Sequence, residues 1–325
     1  MPRQARLDAP GTLHHIMIRG IERRSIVTDD ADRQLFVDRM GSVALDTRTH
    51  IYAWSLMTNH AHVLLRSGIE GIANFMRRFL TGYAVSYNRR HHRYGHLFQN
   101  RYKSIVCEEE GYFRELVRYI HLNPLRAGLV KDMHELDRYS WSGHRVIMGV
   151  TTVEWQNRDY VLGWFGKRRN EAKGKYREFV MEGVKQGRRP ELVGGGLVRT
   201  LGGWSEVKSI RRRTGEKIAA DERVLGSGEF VEQLWREADE RLKRASACRR
   251  SAAEVRARIE LLCREGGVSK QELEGRSRRR EVSQLRGKLA QELVVQYGMQ
   301  LAEAARQLGV STAAIANILN RTHVS

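Results

Sequence analysis

Two kinds of apolar patterning share the first 150 residues. Thr12–Arg19 and Ile51–Met57 are short runs rich in β-branched and aromatic residues, and His60–Arg66 is a third, so all three predict strands. Asp30–Leu45 and Ile72–Asn88 instead carry apolar positions at helical spacing. Strands and helices mixed over this length predict an α/β or α+β sandwich. Beyond about residue 155 the strand signals thin out. Glu171–Lys185, Glu229–Lys243, Ala252–Arg264 and Arg279–Gln296 predict helices, with Gly194-Gly195-Gly196 and Gly226-Ser227-Gly228 as loops between them. No internal repeat is visible. The glycine triplet lacks a following Gly-Lys-Ser/Thr, so it reads as a connector and not as a phosphate loop.

Charge changes this picture. The 325 residues hold 57 Lys and Arg against 38 Asp and Glu, a net charge of +19, which calls for a polyanionic partner, nucleic acid first. Residues 1–150 contribute 22 basic and 15 acidic side chains, +7, leaving +12 for the rest, so both halves are basic. No apolar run approaches the ~20 residues of a membrane span, and the N-terminus lacks the apolar centre of a secretory signal, so the expected location is the cytoplasm and no membrane partner is expected. The three cysteines, Cys107, Cys248 and Cys263, have no zinc-finger spacing and cannot pair completely; they read as reduced structural thiols.

Two segments can do chemistry. In Asn59-His60-Ala61-His62-Val63-Leu64-Leu65 the histidines are two apart in a strand-like run, so both imidazoles leave the same face. Such a pair suits a divalent metal that also takes oxygen ligands, although His-x-His can equally be a hydrogen-bonded surface pair. In Glu115-Leu116-Val117-Arg118-Tyr119-Ile120-His121-Leu122-Asn123-Pro124, Tyr119 and Asn123 stand one helical turn apart before a helix-ending proline. Alone, this could be a core tyrosine and a helix terminus. Together the segments make one site: His60, His62 and the Asn123 amide oxygen hold Mg²⁺ or Mn²⁺, and Tyr119 attacks phosphorus. A phosphotyrosine bond conserves the energy of the broken phosphodiester, as strand rejoining requires. Tyr83, Tyr87 and Tyr112 lack a polar ligand-type residue four positions on followed by proline. His121 points away from Tyr119 and reads as structural or DNA-facing.

The succession of NHAHVLL, GHLFQNRYK (Gly95–Lys103) and RYIHLNPLRAGLV (Arg118–Val130) resembles the single-tyrosine HUH transposases, especially the REP-associated tyrosine transposases, over roughly residues 5–150. That resemblance implies metal binding by His60 and His62, Tyr119 as nucleophile and Asn123 as third ligand. It implies an α+β fold, a ferredoxin-like antiparallel sheet with the two histidines on a central strand. It also implies cleavage and rejoining of single-stranded, hairpin-containing DNA through a 5′-phosphotyrosine intermediate. Ala61 departs from the bulky hydrophobe usual between the two histidines.

The nucleic acid is expected along residues 71–107, which hold Arg77, Arg78, Arg89, Arg90, Arg93, Arg101 and Lys103 and no acid, with Tyr83, Tyr87, Tyr94, Phe98 and Tyr102 interleaved for base stacking. Arg3, Arg6, Arg19, Arg23 and Arg24 are further candidates, and Arg211-Arg212-Arg213 and Arg278-Arg279-Arg280 are either phosphate contacts or solvated faces. At the C-terminus, small Ala305, turn-forming Gly309, a capping Ser311 and apolar Ile315 and Ile318 follow helix-turn-helix logic and resemble the C-terminal domains of replication initiators and Trp-repressor-like folds. The second helix would offer Thr312, Ala313, Ala314, Asn317 and Arg321 to DNA. The expected organisation is a nuclease domain at 1–150, a mainly helical region at 151–278 and a helix-turn-helix at 279–325. Monomer and homodimer are both compatible with it. The rival reading is a catalytically idle DNA-binding regulator that works through the helix-turn-helix.

Overall fold

The computed structural model describes residues 7, 10–99, 101–187, 189–194, 219–275, 277, 279–297 and 299–322, and the side chains of 241–253, 295–296 and 320–322 lie outside that description. Arg3, Arg6, Arg211, Arg212, Arg213, Arg278, Gly195, Gly196 and the side chains of Cys248 and Arg321 therefore lie outside the described residues. The chain divides into two compact units, Met1–Ala238 and Asp239–Ser325. The boundaries expected near 150 and 278 fall inside these units.

In the first unit the chain runs β1 (Leu13–Arg19), α1 (Asp30–Asp46), β2 (His50–Leu56), β3 (His60–Arg66), α2 (Gly71–Arg90), β4 (Lys103–Cys107) and α3 (Glu109–His121). The sheet order is β2-β3-β1-β4, all antiparallel, which is the ferredoxin-like arrangement, and β3 is an inner strand. A two-residue strand, β5 (Val224–Leu225), pairs parallel to β4 and makes the sheet mixed, which was not expected. Patterning over two residues is too short to announce a strand.

Period-2 alternation then divides the strands between two cores. Ile16 and Ile18 of β1 and Ala61, Val63 and Leu65 of β3 enter a core under α1 and α2 with Phe36, Phe75, Phe79 and Tyr83. Each buried Ile, Val, Leu or Phe among them contributes ~1.5–3 kcal/mol. Leu13 and Leu64 enter the opposite core with Leu116, Val117 and Ile120 of α3. That second core extends through α4 (Asn123–Arg126), α5 (Met133–Arg138), α6 (His144–Ile147), α7 (Arg158–Gly163), α8 (Arg169–Glu182) and Leu192 of the 3-10 turn Pro190–Val193. Packing of residues up to 194 against this face explains why no boundary falls at 150.

Residues 229–243 and 252–264, expected as two helices, belong to one, α9 (Gly228–Glu265). In the second unit α10 (Lys270–Glu274), α11 (Arg280–Gln291), α12 (Leu301–Gln307) and α13 (Thr312–Thr322) follow. Leu262, Leu273, Leu285, Leu289, Ala305, Leu308 and Ile315 form its core. Between α12 and α13, Gly309 takes φ +64°, and a Cβ there would stand 2.0 Å from the Glu274 carbonyl oxygen. Only glycine fits. The Ser311 hydroxyl accepts from the Ala314 N–H and caps α13. Among the described residues no helix is long and apolar enough to cross a membrane.

Candidate active site

β3 presents His60 and His62 to the face that α3 covers, and β1 lies antiparallel beside it with Met17 opposite His62 and Arg19 opposite His60. From α3, Tyr119 meets this face: its ring stands edge-on to His62 at 5.7 Å between centroids and to His15 at 5.9 Å. The His60 and His62 rings are 5.4 Å apart. Leu122 keeps helical backbone angles between α3 and α4, and its N–H bonds the Arg118 carbonyl, so Tyr119 and Asn123 remain one turn apart across the break at Leu122, and Pro124 lies in the first turn of α4 instead of ending the helix. A cavity of about 500 Å³ is lined by His60, Tyr119, Asn123, Arg126, Arg189 and Val193, among others. The structure thus brings together the four residues expected to form one site.

Burial sets the electrostatics. It lowers His60 to about 4, helped by the positive charge of Arg19. It lowers His62 well below the ordinary imidazole value, helped by His15, His60 and Arg19. His15 falls to about 4 through burial, opposed by its hydrogen bond to the Leu192 carbonyl and aided by Lys103. All three are neutral imidazoles at neutral pH. Burial also raises Tyr119 above the ordinary phenol value, opposed by Arg126, whose guanidinium carbon is 5.5 Å from the Tyr119 ring centroid. The donor types fit a hard-to-borderline divalent cation: two neutral imidazoles, and the amide oxygen of Asn123, which lines the same cavity as His60. Among the described residues no group of three or more His, Cys, Asp or Glu is placed to hold a metal ion.

Several residues here were not expected. His15 bonds His62, with Nε2 of the former 2.9 Å from Nδ1 of the latter, and its own Nδ1 donates to the Leu192 carbonyl at 3.0 Å. Asn59 Oδ1 is 2.7 Å from His60 Nδ1. Arg126 was legible in principle, since it follows Tyr119 by seven residues, two helical turns. Arg189 was not, because nothing local ties it to α3; it pairs with Glu115 at 3.1 Å and with Glu191.

His121 is fully buried and Nδ1-bonded to the Tyr176 hydroxyl at 2.7 Å, which removes it from the DNA-facing set and leaves the structural role. Tyr176 also bonds His144, which donates to Asp137, so the C-terminal end of α3 is tied to α5, α6 and α8. The aromatic half of the expected DNA stripe is corrected too. Tyr83 is buried and donates to the Ile26 carbonyl, Tyr87 is buried against Thr28, and Tyr102 is buried. Their helical spacing from Phe79 put Tyr83 and Tyr87 in the core. Tyr94, 96% exposed, remains open for stacking.

The cations sort similarly. Arg19, Arg77, Arg89 and Arg101 are exposed. Arg78 pairs with Asp46 at 2.5 Å, and Arg90 with Asp29 and the buried Asp32, so the Arg90 charge is taken up within the fold. Lys103 is exposed and donates to the Val193 carbonyl at 2.7 Å. In the second unit Thr312, Ala313 and Asn317 are exposed or half-buried and Ile315 is buried. Both free cysteines among the described residues, Cys107 and Cys263, are buried.

Residues 11–123 match the family model described as "Transposase IS200 like". No curated protein matches the chain. A solved structure described as "Structure of the REP associates tyrosine transposase bound to a REP hairpin" is 17% identical, aligns with 49% of this chain and 98% of that one, and has a TM-score of 0.39. The segment similar to IS200-like transposases, residues 11–123, contains His60, His62, Tyr119 and Asn123.

Proposed function

We propose that this protein is a transposase that cuts and rejoins single-stranded DNA through a covalent bond to Tyr119. The observation that carries the reading is the convergence of Tyr119, Asn123 and His60 from α3, α4 and β3 on one cavity, with the His62 ring 5.7 Å from that of Tyr119. The Tyr119 oxygen attacks phosphorus, the P–O3′ bond breaks, one strand keeps a free 3′-hydroxyl and the other is held as a 5′-phosphotyrosine. The phenol loses its proton, and the departing 3′-oxygen gains one. Attack by another 3′-hydroxyl reverses the exchange and releases the tyrosine, so no nucleotide energy source is needed.

His60, His62 and Asn123 would hold the divalent cation, Mg²⁺ or Mn²⁺. When bound, it offsets the negative charge that develops on the phosphate. Arg126 supports the phenolate of Tyr119, whose formation burial otherwise opposes. The exposed Arg19, Arg77, Arg89 and Arg101 supply phosphate contacts for the strand. Thr312 and Asn317 of α13, with Arg321, would contact DNA separately.

The test uses labelled single-stranded hairpin oligonucleotides from the flanks of the protein's own coding region, with Mn²⁺ or with chelator, on denaturing gels. A cation-dependent adduct lost in Tyr119→Phe and His62→Ala is the expected outcome. Tight binding without any adduct would overturn the proposal in favour of a DNA-binding regulator.

A further inference from the structure

We propose that His15 and Asn59 are positioning residues that fix the tautomers of His62 and His60, so that both rings present an unprotonated Nε2 to the cation; this rests on the cation-site reading above. The chain of donors starts at a carbonyl. Leu192 O can only accept, so the His15 nitrogen 3.0 Å from it, Nδ1, carries the proton. His15 is fully buried and its two hydrogen-bond partners, a carbonyl and an imidazole, bring no negative charge, so it holds one proton and not two. Its Nε2 is then an acceptor, and His62 Nδ1, 2.9 Å away, must be the donor. The one unprotonated nitrogen left on His62 is Nε2.

His60 reaches the same state by another route. Asn59 Nδ2 donates to the Arg23 carbonyl at 3.0 Å, which settles which end of the amide is nitrogen. Asn59 Oδ1 therefore accepts from His60 Nδ1 at 2.7 Å, and His60 too has its lone pair on Nε2. Two unrelated partners thus select the same tautomer on both rings. A cation ligand must offer a lone pair, and fixing the proton on the other nitrogen in advance removes the cost of tautomer exchange when the cation arrives. Leu192 lies outside residues 11–123, so the relay to His62 is anchored by an element beyond the family-matched segment.

The test is made on the full chain with ¹⁵N-labelled histidine. In metal-free protein, long-range ¹⁵N–¹H correlation spectra should show His60 and His62 both protonated at Nδ1. In Mn²⁺ titrations, His15→Leu and Asn59→Ala should each weaken binding ~10–100-fold. His15→Gln, whose amide oxygen can still accept from His62 Nδ1, should recover most of the loss. Asn59 is only partly buried, so its variant tests the argument even if the His15 variants unfold. Protonation at Nε2 in the metal-free wild type, or variants binding Mn²⁺ within about two-fold of wild type, overturns the proposal. A wild type that binds no Mn²⁺ overturns the cation-site reading instead, and the metal-free spectrum tells the two failures apart.

Discussion

On β3, Ala61, Val63 and Leu65 enter a dry core with Phe36, Phe79 and Tyr83, while His60 and His62, one step along the same strand, face α3 beside His15, Tyr119 and a cavity. The two faces share one backbone and one register. They differ in what burial does. Under α1 and α2, burial of aromatic and aliphatic surface stabilises the fold directly, with Phe36 edge-on to both Phe79 and Tyr83. Under α3, burial holds three imidazoles neutral and a phenol protonated, which costs stability in acid but keeps a lone pair on each imidazole. One face of the sheet therefore holds the other in place for chemistry.

Substitutions on the two faces should have opposite consequences. The largest effect should come from Tyr119→Phe: adduct formation falls at least ~1,000-fold, because no other oxygen takes the nucleophile's place, while thermal stability stays within ~0.5 kcal/mol. Gel quantification of adduct beside a melting curve checks both halves. An unchanged adduct yield would move the chemistry away from α3. Phe79→Ala on the opposite face should do the reverse, costing ~3–5 kcal/mol in denaturant unfolding while the molecules that remain folded keep wild-type adduct yield per site.

Acid separates the faces next. His15 and His60 have folded values of about 4 against 6.5, so between these the unfolded chain binds protons that the native one does not. Their contribution is complete above about pH 6.5 and is lost as pH falls toward 4, on the order of 3 kcal/mol for the fully buried His15. Buried His62, His121 and His144 act in the same direction. Urea midpoints at pH 7.5, 6 and 5 should decline in that order; a flat profile would mean that these imidazoles accept protons within the native state. In the second unit, Gly309→Ala should cost ~1–3 kcal/mol because the positive φ and the Glu274 carbonyl both oppose a Cβ. Selective loss of hydrogen-exchange protection in α12 and α13 would show it.

The smallest effect distinguishes cations that sequence alone treats alike. Arg77→Ala should lower the salt dependence of single-strand binding by about one counterion. Arg90→Ala should leave that slope intact and reduce stability instead, since it strips a partner from buried Asp32. Equal slopes for the two variants would show that Arg77 is no closer to DNA than Arg90.

The two pairs of the candidate site were legible in the sequence because each lies within one element or across one helix break. His60 and His62 share a face through the two-residue period of a strand, and Tyr119 and Asn123 through the helical turn, so local geometry alone aligns each pair. The core stripe of α2 was equally present as Phe75, Phe79, Tyr83 and Tyr87, but the surrounding arginines invited a stacking role for tyrosines that their spacing sends inward. The absence of acids over residues 71–107 was real, yet Asp29, Asp32 and Asp46 reach that stretch from α1 and its N-cap and neutralise Arg78 and Arg90.

Which side chains leave an element together is therefore written in the chain itself, since it follows from backbone periods that every residue obeys. The state of those side chains is set by the folded arrangement. The proton on His62 is placed by His15, 47 positions away, which is in turn held by a carbonyl 177 positions further on. Such partners are chosen by strand register and by packing across the sheet, and no local pattern encodes either.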